Sequence, residues 1–299
     1  MVKRILCVLS LFFATTSFAN TYSISGTLPL SNDWSWNSTE EGGHNNYGEI
    51  RNIDTYKSTG KTGILLTPDD GYVRTTIYNK NTFSSKSSFS IEAEVLLKSG
   101  NNSGADGISL FWVNANSISS TSQLFGGVGE WMGTPSGKAL NADNTSRTIG
   151  YVTGIQGYAF TFDDYKNKNN ISSESNSLIR LSDWNINPKV NLDMSSTPNY
   201  FLNSGWTKIK LDYNSDSQVF TYYYIWNGNK FTSSKTWTVA ELGDGWYEGY
   251  NEAYFGIGAA TGGLSGIHAI RNVEFTVPEP ATLSLCLFGS VLILFKRNK

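Results

Sequence analysis

The sequence predicts an all-β protein built as a sandwich of antiparallel sheets, and three observations carry that expectation. The first is strict alternation. In Ser88–Leu97, SFSIEAEVLL, the side chains of Phe89, Ile91, Ala93 and Val95 fall on one side and those of Glu92 and Glu94 on the other, the two-residue period of a strand with one buried face. The second is its recurrence in Thr207–Tyr213, TKIKLDY, with Ile209, Leu211 and Tyr213 inward and Lys208, Lys210 and Asp212 toward water. The third is the lack of any sustained apolar repeat at helical spacing in a chain rich in Gly, Ser, Thr, Asn and aromatic residues.

Further strands are expected at 71–78, 106–113, 157–163, 217–226, 231–238, 253–260 and 267–276, separated by Gly-, Asn- and Ser-rich turns. There is no internal repeat, and the polar run from Lys166 to Ser177 reads as one long loop. Long loops on a rigid sandwich are where binding residues usually sit.

The two ends differ from the middle. MVKRILCVLSLFFATTSFAN places Lys3 and Arg4 before an apolar run and ends it on Ser17-Phe18-Ala19, the layout of a secretory signal peptide cut after Ala19. The last stretch, VPEPATLSLCLFGSVLILFKRNK, joins Pro278-Glu279-Pro280 to an apolar segment from Ala281 to Phe295 and a basic tail. That segment is short against the ~20 residues that span a bilayer. This layout resembles the PEP-CTERM sorting signal of Gram-negative bacteria. The resemblance implies transient membrane anchoring, recognition of Val277, Pro278, Glu279 and Pro280 by an exosortase-type processing protease, and removal of the tail; an ordinary single-span anchor is the alternative. The expected organisation is therefore a signal peptide over 1–19, one β-sandwich domain over 20–276 and a sorting signal over 277–299. The expected location is the cell surface or extracellular matrix.

Both cysteines, Cys7 and Cys286, lie in the end segments, so the middle holds no disulfide and depends on its core or on bound ions. Without the ends, 18 basic side chains face 24 acidic ones. That balance argues against nucleic acid and anionic lipid as partners.

Three pieces bear on function. The first is Gly104-Ala105-Asp106-Gly107 leading into ISLFW. The second is Phe162-Asp163-Asp164-Tyr165-Lys166-Asn167, an apolar strand ending on carboxylates. The third is FGIGAATGG, Phe255 to Gly263, followed by Gly266 and IHAIRNVEF. In this order they resemble the L-type lectins, the family of the legume seed lectins and the cargo lectins of the secretory pathway. The resemblance covers about residues 62–276 and implies a concanavalin A-like jelly-roll sandwich that binds carbohydrate or exopolysaccharide and is not an enzyme.

The resemblance assigns a calcium ion to Asp163, the Tyr165 carbonyl and Asn167, which alternate as the chain leaves its strand. Calcium takes six to eight oxygen ligands of these kinds. It also assigns sugar contacts to Asp106 as acceptor and Asn167 as amide donor, to the Tyr165 ring, and to backbone groups near Gly127, Thr261 and Gly262, and it implies a cis bond before Asp106. A further acidic calcium ligand is expected among Glu174, Asp183 and Asp193. No transition metal is expected, because Thr161 stands where the legume pattern has a glutamate ligand.

Other readings compete. A glycoside hydrolase of the same fold needs two carboxyls about 5–5.5 or 6.5–9.5 Å apart; Glu92 and Glu94 have the spacing but point away from the apolar face, and Asp163 and Asp164 are adjacent. A lectin-like structural matrix protein that binds nothing is the other alternative. His268, alternating with Ile267 and Ala269, reads as a hydrogen-bonded structural residue. Of the nine tryptophans, most are expected in the core, and Trp131 is the one singled out for sugar contact.

Overall fold

A computed structural model describes residues 19–40, 51–53, 62–98, 104–127, 132–135, 139–140, 146–147, 157–163, 178–183, 190–192, 205–226, 229–232, 237–238 and 252–278. The strands in chain order are β1 (Ala19–Ile24), β2 (Trp34–Glu40), β3 (Arg51–Asn52), β4 (Ile64–Thr67), β5 (Val73–Ser84), β6 (Phe89–Lys98), β7 (Gly107–Asn114), β8 (Ala139–Leu140), β9 (Ser146–Arg147), β10 (Gly157–Asp163), β11 (Leu178–Asp183), β12 (Val190–Leu192), β13 (Thr207–Asn214), β14 (Val219–Trp226), β15 (Asn229–Thr232), β16 (Trp237–Thr238), β17 (Glu252–Ala260) and β18 (Ile267–Pro278).

Among the described residues these strands make two large sheets and one small pair. The first sheet runs β15-β14-β13-β6-β18-β4-β3, with β1 on β18 and β16 on β14; the second runs β12-β11-β10-β7-β17-β5-β2; β8 and β9 pair alone. Sequence neighbours are often not sheet neighbours: β6 and β7 belong to different sheets, and β7 lies between β10 and β17. The result is an antiparallel sandwich, as alternation predicted, with the jelly-roll arrangement that the resemblance implied.

Phe89, Ile91, Ala93 and Val95 of β6 and Ile209, Leu211 and Tyr213 of β13 are buried in the core between the sheets. Their alternates Glu92, Glu94, Lys208 and Lys210 are half-exposed. Aromatic rings join the two sheets. Phe89 of β6 meets Trp112 of β7 with centroids 5.3 Å apart, and Phe255 of β17 stacks on Phe275 of β18 at 4.4 Å. Such pairs add about 0.5–1.5 kcal/mol each beyond the area they bury.

The second sheet is covered on its other face as well, which explains why every residue of β7 is buried. There Phe111 and Val113 join Tyr78, Leu124 and Ala159 in a separate cluster. A 3-10 turn over Thr121–Leu124 supplies Leu124 to this layer. Its start is capped by Ser120, and Gln123 reaches back to the Ser120 backbone, an arrangement that satisfies otherwise orphaned donors.

Eight strands were not expected from the sequence: β1 to β4, β8, β9, β11 and β12. β2, WSWNSTE, sits at a sheet edge and carries polar residues on both sides, while β4, ILLT, is buried throughout and too short to show a period. The stretch expected as one strand over 231–238 is instead β15 and β16, each paired with β14. Residues Thr21–Val277 form one compact unit, and Met1–Asn20 with Pro278–Lys299 are assigned to a second. β18 runs to Pro278, so Val277, 6% exposed and part of the core, belongs to the last strand as well as to the expected sorting motif. Glu279, Pro280 and the apolar segment after them lie outside the described residues.

Candidate functional site

One end of the second sheet gathers most of the residues singled out above. In register across it lie Leu178 of β11, Asp163 of β10, Gly107 of β7, Ala260 of β17, Arg74 of β5 and Thr39 of β2. Asp106, just before β7, donates its backbone N–H to the Ala260 carbonyl at 3.0 Å, and the Ala105–Asp106 peptide is cis, as the resemblance implied. The acidic positions Asp106 and Asp163 therefore stand one residue apart across a single strand pair.

Gly107 makes that closeness possible. Its φ is +145°, and a Cβ there would overlap the Phe162 carbonyl oxygen, so only glycine lets β7 pass this tightly beside β10. Asp106 is only 3% exposed. A carboxylate taken this far out of water requires cations or donors around it to stay charged.

The loop after β17 is fixed from both sides. Thr261 donates its N–H to the Val73 carbonyl at 2.8 Å and accepts from Val73 N–H on its hydroxyl at 2.9 Å; Tyr72 N–H donates to the Gly262 carbonyl at 2.9 Å. Thr261 is fully buried, whereas Gly262 is half-exposed and Gly263 and Leu264 face solvent. Ser265 donates to Asp69 at 2.7 Å. Gly266 leaves room for Ala105, whose carbonyl oxygen would be 2.9 Å from a Cβ at that position.

His268 anchors the base of the same loop. Thr67 donates its hydroxyl proton to the Gly266 carbonyl at 2.8 Å, and its oxygen lies 2.7 Å from His268 Nδ1. With that proton engaged, Nδ1–H donates to Thr67, which sets the tautomer of the ring. A fully buried histidine with this partner is structural, as the sequence suggested.

Gly126 and Gly127 reach the site from a loop lying on the outer face of the second sheet. Arg74 donates to the Gly126 carbonyl at 2.9 Å, and Thr76 accepts from Gly126 N–H at 3.1 Å. Gly127 donates to the Thr134 carbonyl and accepts from Gly133 N–H, both at 3.0 Å. Its N–H is thus engaged and the residue is buried, which leaves only its carbonyl's second lone pair for a ligand. The glycines of FGIGAATGG have a packing role: a Cβ at Gly256 would run into the Phe111 ring and one at Gly258 into Gly133. Arg74 carried no motif in the sequence, and only the register brings it here.

The arrangement also bears on metal binding. The acidic positions at this end offer oxygen donors, the kind a hard cation takes. Thr161, in the place of the legume glutamate, is 3% exposed and its hydroxyl has no hydrogen-bond partner among the described residues; a neutral hydroxyl does not replace a carboxylate as a transition-metal ligand. The register separates the further calcium candidates. Asp183 pairs with Tyr158, five residues along β10 from Asp163, or roughly 16 Å at the rise of a strand. It is too far to share an ion with Asp163. The chain leaves β12 at Leu192, paired with Ile179, at the Asp163 end, and Asp193 comes next. Asp193 itself, Glu174, Tyr165, Asn167 and Trp131 lie outside the described residues. Among those that are described, no three His, Cys, Asp or Glu side chains are grouped to hold a metal.

The carboxylates weighed for hydrolysis are occupied elsewhere. Glu94 accepts from Arg271 at 2.6 and 2.9 Å and from Asn272 at 2.7 Å, and Glu92 pairs with Lys208. Both lie on the outer face of the first sheet, away from Asp106. Burial raises the Glu94 pKa, but the hydrogen bonds from Asn272 and Arg271 and the charges of Arg271 and Lys208 outweigh it and hold the carboxyl below its ordinary value.

No protein-family model and no curated protein sequence matches the chain. Solved structures do. A lectin from Bauhinia forficata in complex with GalNAc superposes with a TM-score of 0.60 at 14% identity, over 87% of this chain and 98% of that one. Basic winged bean lectin with Tn-antigen gives 0.58 at 12% identity over the same shares. Arcelin-5, a lectin-like defense protein from Phaseolus vulgaris, gives 0.56 at 13% identity, again over 87% and 98%. At such identities the likeness concerns the fold: this chain is folded as the legume lectins are, in a jelly-roll sandwich of two antiparallel sheets.

Proposed function

We propose that this protein is an exported carbohydrate-binding protein whose sugar site lies at the β7–β10–β17 end and is organised by calcium. The observation that carries the reading is the convergence there of a buried Asp106, the acidic end of β10 across from Gly107, and the Gly262–Leu264 loop, tied to one another by backbone hydrogen bonds. Asp106, ionised, accepts from two neighbouring hydroxyls of a pyranose; Asp163 with the segment after it holds the ion, whose task is to fix that segment. The first sugars to try are galactose and GalNAc, since neighbouring folds have been solved with methyl-α-D-galactose and with GalNAc. Export, sorting by an exosortase-type protease and residence at the cell surface or in the matrix complete the proposal.

Binding of the full-length chain to a glycan array, with and without chelator, tests it. Calcium-dependent binding that falls about ten- to a hundredfold in Asp106→Asn, the loss expected when a hydrogen-bonded charged partner is removed, supports the site. Equal binding by wild type and Asp106→Asn rejects it. The internal use of Gly127 N–H and of the Thr261 hydroxyl favours a second reading, a matrix protein that keeps the fold without the sugar. An array blank under both conditions is the result that reading requires.

A further inference from the structure

A second place on the molecule has the makings of a binding site and shares no residue with the first. The loop between β1 and β2 and the edge strand β2 enclose an open cleft of about 330 Å³, within the ~300–1,000 Å³ range of small-molecule sites. Leu28 and Leu30 line one side, packed against the core, and Trp34 lies at its deep end. Trp36, two residues on and therefore on the same side of the strand, stands at the rim and is 39% exposed, one of two large apolar side chains that face solvent among the described residues.

The cleft is held in shape by hydrogen bonds. Leu28 N–H donates to Asn52 Oδ1 at 3.0 Å, and Trp34 Nε1–H donates to the Ser23 carbonyl at 3.2 Å. Lys80 crosses from β5: its N–H donates to the Asp33 carbonyl at 2.7 Å and its Nζ to the Asn32 carbonyl at 2.9 Å. An ammonium carries three donors, so Lys80 keeps two for a ligand. The exposed side chain of Asn32 adds an amide to the lining.

Trp36 is in register with Ile77, a core residue, so it projects from the inner side of the second sheet. Arg74 and Gly107 mark the other site, on the outer side. Three strand spacings of ~4.8 Å also separate β2 from β7, placing the two sites apart.

We propose that this cleft is a second carbohydrate site, independent of metal, which takes a neutral pyranose unit. The sugar's apolar face lies on the Trp36 indole while its hydroxyls meet the donors of Lys80 and Asn32. An aliphatic ligand would use the wall and leave those donors unmatched. The loop also carries the Asp33 carboxylate, which accepts from Asn81 Nδ2–H at 3.4 Å, so Lys80 and Asp33 together leave no net charge to favour an acidic sugar. Two separate sites on one chain let a single molecule bridge two polysaccharide strands.

The experiment is binding of the full-length chain, in chelator, to arrayed neutral oligosaccharides of glucose, mannose and galactose, with uronate oligomers and alkyl chains alongside. The expected result is chelator-resistant binding to a neutral oligosaccharide that falls about tenfold, or about 1.4 kcal/mol, in Trp36→Ala. It falls less in Trp36→Phe and Lys80→Met, and is unchanged in Asp106→Asn. Trp36→Phe keeps an aromatic at the rim, so its partial retention separates stacking from misfolding. Absence of chelator-resistant binding, equal binding by wild type and Trp36→Ala, or binding only to uronate or alkyl probes overturns the proposal. Loss of calcium-dependent binding alone counts against the other site and leaves this one standing.

Discussion

Single residues at the Asp106 end matter for what they leave out as much as for what they supply. Gly107 has no Cβ because the Phe162 carbonyl occupies that space, and its φ of +145° is one that side chains rarely adopt. Gly107→Ala is expected to destabilise the fold by at least about 2 kcal/mol, since neither strand can move without breaking the β7–β10 ladder. Urea unfolding checks this, and a midpoint equal to wild type would mean the close approach is relaxed in solution. Thr161 shows the opposite case. A small neutral side chain stands where the sequence pattern of the legume lectins has an acid, and the hydroxyl is buried without a partner among the described residues. The sequence alone identified this departure, because it depends on residue type and spacing from Asp163.

At the scale of elements, β6, β13 and β18 combine an apolar inner face with a charged outer one. On that outer face Arg271 lies over the Trp206 ring at 4.3 Å and binds Glu94. The lowered pKa of Glu94 has a testable sign. A carboxyl held below its unfolded value contributes stability that is fully present above that value and is lost as pH falls through the folded one. Thermal midpoints of wild type and Glu94→Gln are therefore expected to differ at neutral pH and to converge as pH drops below the ordinary carboxylate range; a gap that persists unchanged in acid would argue against the pairing. The effect is expected to be small, because the pair is partly exposed and screened. Alternation made β6 and β13 legible, while β2 and β4 were not: an edge strand with polar residues on both sides and a four-residue strand buried throughout show no period.

At the scale of the whole molecule, two predictions concern what holds the unit together. If calcium organises the site, free ion at a hundred times its Kd adds about 2.7 kcal/mol, or roughly 5–10 °C for a domain of this size. Asp163→Ala is expected to abolish that increment, and identical melting of the wild type in calcium and in chelator would rule the ion out. The second prediction follows from Val277, buried in the core at the end of β18. A chain ending at Thr276 is expected to be about 1.5–2 kcal/mol less stable than one ending at Pro278, the worth of burying a valine. Sorting cleavage at or after Val277 keeps this contribution, and the C-terminal mass of the mature protein measures where cleavage falls.

The sequence by itself determined the class of the fold, the face each regular strand buries and the acidic end of β10. All of these are local, set by periodicity and by residue types within a few positions. Only the tertiary structure decided which distant segments meet. Strand register placed Asp163 across from Gly107, set Arg74 beside the Gly126–Gly127 loop, moved Asp183 to the far end of β10 and left Trp36 exposed at a sheet edge. Those outcomes depend on pairings between residues tens to hundreds of positions apart, and a period of two within a strand carries no information about its partner.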